Sequence, residues 1–460
     1  MKNYSPDLLI PGAIPGMVWP AVNGSSSSTL SVISDQLEKT QWWSKEQILE
    51  AQCRQLGKLC EFARKTTPFY MKRLSGLKID SEKGIDLTEF KKLPILKRAD
   101  LQNNFEKLQT TDLSLERGPI YENISSGSTG EPVKTKMSSY LNEVNVVLQR
   151  RWYDWVGLDG SQPMGYFTSK LYQKGDNDFQ HTHGWHLNYP DNDYYVNNVS
   201  LSLAKKVKWL SEVRPKYVVT YPSYTKEMIQ YAKKHEIDIS SVEHFLLYGE
   251  PTMLGLREMA EEVCGAKLSD KYASRETGCI AIECPESGLL HVQGDNVYLE
   301  IIKDDGTDAK PGENGKVIVT SLTNTAMPLI RYELGDVAEA GPDCSCGRQQ
   351  MTISNILGRT RDLIRLRGGD RVRPITNLSD KDAFIDVRKL QYVQKTYDDI
   401  VLRYVSDEPL SEDIQNRMIK AGEEMFPTFN FNVTLERVDD IPQKDGGKLR
   451  DIISEVTEET

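Results

Sequence analysis

Helical and strand patterns alternate through the middle of the chain, and this alternation constrains the fold more than any other feature. Such a pattern is typical of a parallel sheet flanked by helices. It predicts an α/β fold in which a large N-terminal domain contains helix-flanked parallel or mixed sheets. The helical and β-rich runs alternate in this order: residues 203–213, 216–220, 226–235, 244–247 and 254–263.

Unusual polar and aromatic segments follow the predicted strands. They read TYPSY at residues 220–224, YGEP at 248–251 and YASRE at 272–276, and each contains a tyrosine. Ligands of open α/β sheets bind at the carboxyl ends of the strands. The three segments are therefore expected to line one ligand-binding crevice.

Residues 125–134, SSGSTGEPVK, combine two glycines with four hydroxyl side chains. A loop of this kind offers backbone N–H groups and hydroxyl donors to one anion, typically a phosphate. It is not a Walker A loop, because GxxxxGK[ST] is absent. A surface linker is the alternative interpretation of this composition.

The sequence before and after the alternating segment has a different composition. Residues 1–43 look irregular, and Ser44 with Gln47 resembles a capping box that opens a helix ended by Pro68. The sequence becomes β-rich beyond residue 290, with a β-rich subdomain expected there, and a basic, glycine-containing run covers residues 358–374. We predict an N-terminal domain over residues 1–360 and a small, mobile α+β domain over residues 361–460.

Composition excludes several classes of protein. The chain has 460 residues, is 38% hydrophobic and 27% charged, and carries a net charge of -10, which argues against nucleic-acid or anionic-membrane binding. Neither a signal peptide nor a transmembrane run is recognisable, so a cytoplasmic protein is expected. Seven irregularly spaced cysteines do not suggest a disulfide framework. Four of them are expected in the core: Cys53, Cys60, Cys264 and Cys279.

Five motifs occur in an order that resembles the acyl-adenylate-forming superfamily. The closest branch is the phenylacetate-CoA ligase-like proteins, which include the CapK-like group around capsular polysaccharide biosynthesis. The resemblance covers the chain from about residue 50 onward. The motifs are SSGSTGEPVK (125–134), YASRETG (272–278), RYELGD (331–336), GRTRD (358–362) and GGKLRD (446–451).

The resemblance implies an ATP-dependent carboxylic acid ligase with Mg²⁺ and coenzyme A as its partners. A carboxylate would attack the α-phosphorus of ATP, and the resulting acyl-AMP would form a CoA thioester. The aromatic residues after the strands suggest an aromatic acid by analogy. Transfer to an amine or a carrier-protein thiol is one alternative, and a nucleotide-binding regulatory protein without turnover is another. The oligomeric state is open, with a homodimer among the options.

The resemblance also assigns roles to individual residues. Glu276 matches the residue associated with Mg²⁺, Tyr272 matches the aromatic that stacks on adenine, and Asp336 and Arg359 match the ribose contacts. Lys448 matches the catalytic lysine that reaches between the carboxylate and the α-phosphate. The loop that holds the phosphates comprises Ser125, Ser126, Gly127, Ser128, Thr129 and Gly130, and the adenine edge is lined by Gly249, Glu250 and Pro251.

Further roles concern the acid, the hinge and the thiol. Arg361 occupies the hinge position, and Gly368 and Gly369 would line a tunnel for the pantetheine arm. The acid pocket is expected to contain Tyr221, Tyr224, Trp185 and His186.

Three residues depart from the usual pattern of the family: Val133, Arg275 and Arg361. Lys is more common in place of Val133, so Lys134 is at most a secondary candidate for a phosphate ligand. Arg275 would pair either with a polar substrate or with charges of the protein surface. These departures are the basis of the regulatory alternative.

Three cysteines and one histidine, Cys284, His291, Cys344 and Cys346, are candidates for a structural Zn²⁺ site. Reduced cysteines in turns are the alternative. His181 and His183, near His186, lack an accompanying acid or cysteine ligand in the local sequence. They are expected to shape the acid pocket or to lie on an ordinary loop.

Overall fold

The computed structural model describes most of the chain in two compact units. Unit 1 comprises Met1–Gly160, His186–Pro190 and Lys271–Ile356, and unit 2 comprises Ser161–Trp185, Asp191–Asp270 and Leu357–Thr460. The described residues are 13–18, 21–23, 25–116, 118–124, 133–168, 179–186, 189, 191–252, 255–359, 363–367, 371–372, 374, 380, 382–384, 386–426, 429–442 and 451–456.

Helices and strands alternate between residues 203 and 264, as the sequence predicts for this part of the chain. The helices are α1 (Ser25–Thr40), α2 (Lys45–Thr66), α3 (Pro68–Arg73), α4 (Leu87–Lys91), α5 (Arg98–Asn103), α6 (Ser139–Trp155), α7 (Leu203–Val213), α8 (Pro222–Lys234), α9 (Leu256–Cys264) and α10 (Glu412–Glu424). The strands are β1 (Ala13–Val18), β2 (Ala21–Asn23), β3 (Ile79–Asp80), β4 (Gly84–Ile85), β5 (Tyr121–Ile124), β6 (Lys134–Met137), β7 (Met164–Thr168), β8 (Phe179–His183), β9 (Asp193–Asn198), β10 (Tyr217–Thr220), β11 (His244–Tyr248), β12 (Lys267–Ser274), β13 (Gly278–Glu283), β14 (Leu290–Val292), β15 (Val297–Ile302), β16 (Asn314–Ser321), β17 (Tyr332–Ala340), β18 (Thr352–Arg359), β19 (Ile364–Arg365), β20 (Arg371–Val372), β21 (Lys389–Gln394), β22 (Asp399–Val405), β23 (Asn432–Arg437) and β24 (Ile452–Ser454).

Unit 1 is built on a predominantly antiparallel sheet. Its strands run in the order β15-β16-β17-β18-β14-β13-β12, and β12 and β18 each continue into unit 2. Helices α2 to α5 supply apolar side chains that pack with those of β14 to β17 in one core. This sheet carries the YASRETG and RYELGD motifs on β12 and β17.

Unit 2 contains the parallel sheet. Strands β11, β10, β7 and β9 are parallel neighbours, and β8 pairs antiparallel with β9 at the edge. A four-stranded sheet, β23-β22-β21-β24, packs with α10 to form a small α+β portion. The predicted mixed α/β fold with a small C-terminal α+β portion is confirmed, whereas the domain boundary at residues 360 and 361 stays a prediction.

Helix α2 begins as the capping box predicts. The Ser44 hydroxyl accepts from the Gln47 N–H, and the Gln47 side chain accepts from the Ser44 N–H. Leu56 and Cys60 are fully buried, as expected for core residues. Leu49, near the start of the same helix, is 45% exposed.

The expectation of irregular structure over residues 1–43 is wrong. Helix α1 covers residues 25–40 despite its run of serines. Ile33 and Leu37 lie one turn apart and are both buried, and the Arg151 guanidinium donates to the Leu37 carbonyl at 2.6 Å. Tertiary packing of this short apolar stripe outweighs the weak helix propensity of serine.

A buried ion pair fixes the start of strand β17. The Arg331 guanidinium donates to both carboxylate oxygens of Glu300 at 3.0 Å, with both side chains almost fully buried. It also donates to the backbone carbonyls of Lys91 and Leu93, while the Leu96 N–H donates to the Arg331 carbonyl at 2.8 Å. Arg331 therefore connects α4, β15 and β17.

Replacing Arg331 by methionine is expected to destabilise the protein by about 3–5 kcal/mol, because it leaves the Glu300 carboxylate buried without its partner. Urea denaturation followed by circular dichroism measures the change. The control is Lys316→Met, which removes a pair with Asp304 on the surface and should cost at most about 1 kcal/mol. Equal effects of the two variants would contradict the role of Arg331.

Candidate functional site

A β-hairpin in unit 1 flanks the predicted phosphate loop. Strands β5 and β6 pair antiparallel, with Ile124 opposite Lys134. The Lys134 ammonium lies 3.9 Å from the Glu122 carboxylate, and both side chains are exposed. The loop itself, with the candidate residues 125–130, lies outside the described residues.

Arg275 contacts the strand that leads into this loop. Its guanidinium donates to the Ile124 carbonyl at 2.5 Å, and the Asn123 side-chain amide donates to the Arg275 carbonyl at 3.1 Å. The sequence alone suggested a substrate or a surface charge as the partner of Arg275, but the partner is backbone. The YASRETG segment is thereby joined to the residue that precedes the loop, 151 positions earlier in the chain.

Tyr272 and Asp336 link the second and third motifs. The Tyr272 hydroxyl donates to Asp336 Oδ2 at 2.6 Å. Asp336 is buried, with only 8% of its surface exposed. Tyr272 lies near the end of β12 and Asp336 on β17. Two residues to which the sequence assigns nucleotide contacts are therefore in direct contact with each other.

Glu276 lies in the tight turn between β12 and β13 and is 6% exposed. The turn is closed by Ser274 and Thr277, because the Thr277 N–H donates to the Ser274 hydroxyl at 3.1 Å. Within the described residues, the Glu276 carboxylate has no ion pair. A shielded carboxylate of this kind suits a cation such as Mg²⁺ that brings other oxygen ligands with it.

Two asparagines hold the Glu276 turn in place. The Asn145 side-chain oxygen accepts from the Cys279 N–H at 2.9 Å, and the Asn296 amide donates to the carbonyls of Thr277 and Cys279 at 3.1 and 2.7 Å. Gly278, which lies between Thr277 and Cys279, has φ +74°. Its missing Cβ lets the backbone approach the Asn145 amide closely.

In unit 2, the predicted adenine-edge segment follows strand β11. Gly249 has φ +80°, and the Glu250 carboxylate accepts from the Ser223 N–H at the start of α8 at 3.1 Å. Pro251 is partly buried. The segment is thus tied to the amino-terminal turn of α8, at the carboxyl end of a parallel strand.

Three tyrosines form an aromatic cluster beside this segment. The ring of Tyr221 lies 4.6 Å from that of Tyr248 and 5.9 Å from that of Tyr224. Burial, followed by the charges of Glu227 and Glu250, raises the pKa of Tyr224. The cluster presents neutral phenol groups at neutral pH.

Lys206 is a buried cation that sequence reasoning missed. Its ammonium lies 3.7 Å from the centroid of the Tyr224 ring, and burial lowers its pKa to about 8. The available signal was a lysine within the apolar stripe of α7, next to Val207 and Leu210. A cation held against an aromatic ring could attract a carboxylate ligand.

The remaining candidates for the acid pocket make different contacts. The Trp185 indole donates to the Gln162 carbonyl at 2.8 Å, and its ring meets that of Tyr217 edge to face. His186, which belongs to unit 1, is buried, with Nε2 3.8 Å from the carboxylate of Asp154. The structure does not bring Trp185 into ring contact with Tyr221 or Tyr224 among the described residues.

The described residues include only part of the GRTRD and GGKLRD motifs. Arg359 ends strand β18 and is partly buried in unit 2. Arg361, Gly368, Gly369 and Lys448 lie outside the described residues.

The candidate zinc ligands come together in unit 1. The Cys344 and Cys284 sulfurs are 3.7 Å apart, and the Cys346 sulfur is 3.3 Å from His291 Nε2. All four ligand atoms lie within 4.8 Å of one another. The ligands of a tetrahedral zinc ion are separated by about 3.3–3.8 Å when Zn–N and Zn–S bonds have their usual lengths. The four side chains therefore fit such an ion.

The surroundings of His291 and Cys284 favour the forms that bind metals, whereas burial raises the pKa of Cys346. Burial, and then the nearby Arg348 charge, lowers the pKa of His291 to about 4, so the imidazole is neutral at physiological pH. Burial alone would raise the pKa of Cys284, but hydrogen bonds from Ser287 and from backbone N–H groups lower it overall. A neutral imidazole and a stabilised thiolate are the forms that coordinate metals.

Substituting alanine for Gly278 is expected to displace the Glu276 turn, because the new Cβ would overlap the Asn145 amide. Gly288→Ala is a matched control, since Gly288 has nearly the same φ, +75°, but open space around it. The control should cost about 1–2 kcal/mol from backbone strain alone. The Gly278 variant should cost about 1–3 kcal/mol more, as measured by thermal unfolding. Equal losses would show that the Asn145 contact is unimportant.

Similarity to known proteins extends over most of the chain. A family model described as the CapK C-terminal domain matches residues 375–455. A phenylacetate-coenzyme A ligase of Thermus thermophilus is 26% identical over 339 residues, covering 70% of this chain and 73% of that protein. Protein CapK of Staphylococcus aureus is 23% identical over 426 residues, covering 89% and 90% of the two chains.

A solved structure shares the fold. The 2-hydroxyisobutyryl-CoA ligase in complex with R3-HIB-AMP, in its postadenylation state, superposes with a TM-score of 0.71 at 16% identity, covering 91% of this chain and 92% of that chain. Separately, none of the helices that the structure describes is long and apolar enough to cross a bilayer. The resemblance predicted from the five motifs is confirmed: this chain is similar in sequence to phenylacetate-coenzyme A ligases and to protein CapK, and it shares its fold with a CoA ligase.

Proposed function

We propose that this protein is an ATP-dependent carboxylic acid ligase that forms an acyl-AMP and then a CoA thioester. The observation that carries the proposal is the contact between motifs that are distant in the sequence. Arg275 joins the YASRETG segment to the start of the phosphate loop, and Tyr272 joins it to Asp336 of RYELGD. Relatives of this chain include phenylacetate-CoA ligases, which supports an AMP-forming acid–CoA ligase.

The nucleotide is proposed to bind across these joined motifs. The hydrogen bond from Tyr272 orients the Asp336 carboxylate, whose two oxygens suit the cis-diol of a ribose. The Tyr272 ring would lie against the adenine. In unit 2, Arg359 keeps the ribose role, and Gly249, Glu250 and Pro251 keep the adenine-edge role, that the resemblance assigns to them. The hydroxyl and N–H groups of residues 125–130 would surround the phosphates.

Glu276 is the proposed ligand for Mg²⁺. The residue is shielded from solvent, lacks an ion pair among the described residues, and is held on a turn with two asparagine anchors. The ion, when bound there with ATP, would neutralise phosphate charge in the transition state. The anchored turn keeps the carboxylate from moving away during the reaction.

The acid site is proposed from the position of two tyrosines, and the other roles rest on the resemblance. Tyr221 and Tyr224 form an aromatic surface at the end of a parallel strand, which favours an aromatic acid, and Trp185 and His186 are retained as further candidates. Lys448 would stabilise the charge between the attacking carboxylate and the α-phosphate. Arg361 would be the hinge, and Gly368 and Gly369 would leave room for the pantetheine arm of CoA.

In the first step the carboxylate oxygen bonds to the α-phosphorus, and pyrophosphate leaves. In the second, the CoA sulfur bonds to the acyl carbon, and AMP leaves. Transfer of the acyl group to an amine or a carrier thiol would use the same first step. A regulatory protein without turnover would bind ATP and perform neither.

Replacing Lys448 by alanine is expected to lower acid-dependent pyrophosphate release by about 10²–10³-fold, the usual loss when one preorganised charge contact is removed. Pyrophosphate release is measured over a panel of aryl, arylacetic and aliphatic acids. Lys395→Ala is the control, since Lys395 is an exposed lysine of the same C-terminal portion that pairs with Glu455, and it should leave the rate unchanged.

The acceptor is tested in the same assay. Thioester formation with CoA supports the proposal, whereas turnover with hydroxylamine, which traps an acyl-AMP directly, but not with CoA would favour transfer to an amine or a carrier-protein thiol. Tight ATP binding without pyrophosphate release for any acid would contradict the enzyme and favour the regulatory alternative.

We also propose a structural Zn²⁺ held by Cys284, His291, Cys344 and Cys346. The ligand separations fit a tetrahedral ion, and all four positions are filled by protein, as in structural sites. The site is backed by aromatic side chains, because the Trp155 ring meets the His291 ring edge to face at 5.8 Å.

Cys344→Ser is expected to abolish zinc that otherwise co-purifies in one-to-one stoichiometry, and to lower the thermal midpoint, because metal binding contributes to folding. Elemental analysis of the purified protein measures the zinc. Cys53→Ser is the matched control, since Cys53 lies on α2 outside this cluster. If the Cys344 variant contained as much zinc as the wild type, the proposed zinc site would be contradicted.

A further inference from the structure

We propose that His181, His183 and Asp193 form a second metal site, which binds a first-row divalent transition-metal ion at the edge of the parallel sheet in unit 2. This inference is independent of the proposed ligase function. The local sequence offers no acid beside the two histidines, and the structure supplies one from the neighbouring strand.

Strand pairing brings the three side chains together. His181 and His183 are two residues apart on β8, so their side chains point to the same face of the strand. In the antiparallel register with β9, His183 lies opposite Asp193 and His181 lies opposite Tyr195. Asp193 is therefore the direct partner of one histidine and the diagonal neighbour of the other.

The ligand atoms are close enough to share one ion. His181 Nε2 lies 2.7 Å and His183 Nδ1 lies 3.8 Å from the same oxygen, Oδ1 of Asp193. All three ligand atoms lie within 4.8 Å of one another. Ligands around a tetrahedral ion are about 3.4 Å apart when the bonds are about 2.1 Å long. Small side-chain rotations would therefore complete the geometry.

A stacking contact limits the freedom of the first ligand. The His181 ring lies 4.6 Å from the ring of Tyr195 with an interplanar angle of 13°. Tyr195 thus supports the imidazole from the neighbouring strand and reduces the entropy lost on coordination. The His183 ring lies 4.8 Å from that of His181 and meets it edge to face.

The donor set selects the kind of ion. Two imidazole nitrogens with one carboxylate oxygen suit Zn²⁺, Ni²⁺, Cu²⁺ or Fe²⁺ better than Mg²⁺ or Ca²⁺. About half of each of the three side chains is exposed, so water or an external ligand can occupy the remaining coordination positions. A metal bound at His181 Nε2 would replace the hydrogen bond between that atom and Asp193.

Cobalt binding to the full chain tests this site. Co²⁺ is titrated into the protein, and absorption spectra separate two kinds of ligation, because thiolate ligands give intense charge-transfer bands and His–Asp ligands do not. We expect one equivalent without thiolate bands. Asp193→Asn and His183→Ala should each weaken it at least about tenfold, since losing even a second-shell partner costs 10–100-fold.

The control is His235→Ala, which removes an exposed histidine at the carboxyl end of α8 and should leave cobalt binding unchanged. All substituted side chains are exposed, so the variants should retain the unfolding midpoint of the wild type. Cobalt binding that is equal in all variants, or that always shows thiolate bands, would overturn the inference. The result of the cobalt titration does not depend on the proposed zinc site, because the Cys344→Ser variant should lose only the metal that is bound by thiolates.

Discussion

The buried ion pair between Arg331 and Glu300 is the constraint on which the proposed nucleotide site depends. It fixes the first residues of β17, a strand whose side chains alternate between buried and partly exposed positions. Asp336 shares the buried set with Tyr332, so a slip of one residue would turn the carboxylate away from Tyr272. An ion pair that satisfies the guanidinium with carboxylate and carbonyl oxygens resists such a slip better than apolar contacts, which are not directional.

The same logic applies to the Glu276 turn. A carboxylate that must meet a highly charged ligand has to be shielded yet immobile, and a bare hairpin turn is normally mobile. Asn145 and Asn296 hold the turn by hydrogen bonds to its backbone and not to the Glu276 carboxylate. The carboxylate charge therefore stays available to a ligand. Positioning by backbone anchors is also the role of Arg275, which contacts the Ile124 carbonyl instead of a substrate.

Local patterns predicted the elements well and their contacts poorly. The helix over residues 203–213 matches the structure, and the β-rich run over residues 216–220 corresponds to β10, because periodicity and β-branched content are local properties. Helix α1 was missed, because its serine-rich composition hid a short apolar stripe that only packing stabilises. The acid that accompanies His181 was missed because Asp193 becomes its neighbour only through the register of β8 with β9.

Polar contacts join α8 to the C-terminal α+β portion within unit 2. Lys234 pairs with Asp407 at the surface, where both side chains are well exposed, and such pairs contribute at most about 1 kcal/mol. The Gln230 amide donates to the Val387 carbonyl, a single neutral hydrogen bond. The Glu227 carboxylate of α8 also lies 3.9 Å from the Lys389 ammonium, with both side chains mostly buried. If Arg361 is the proposed hinge, the second half-reaction would have to break these polar contacts.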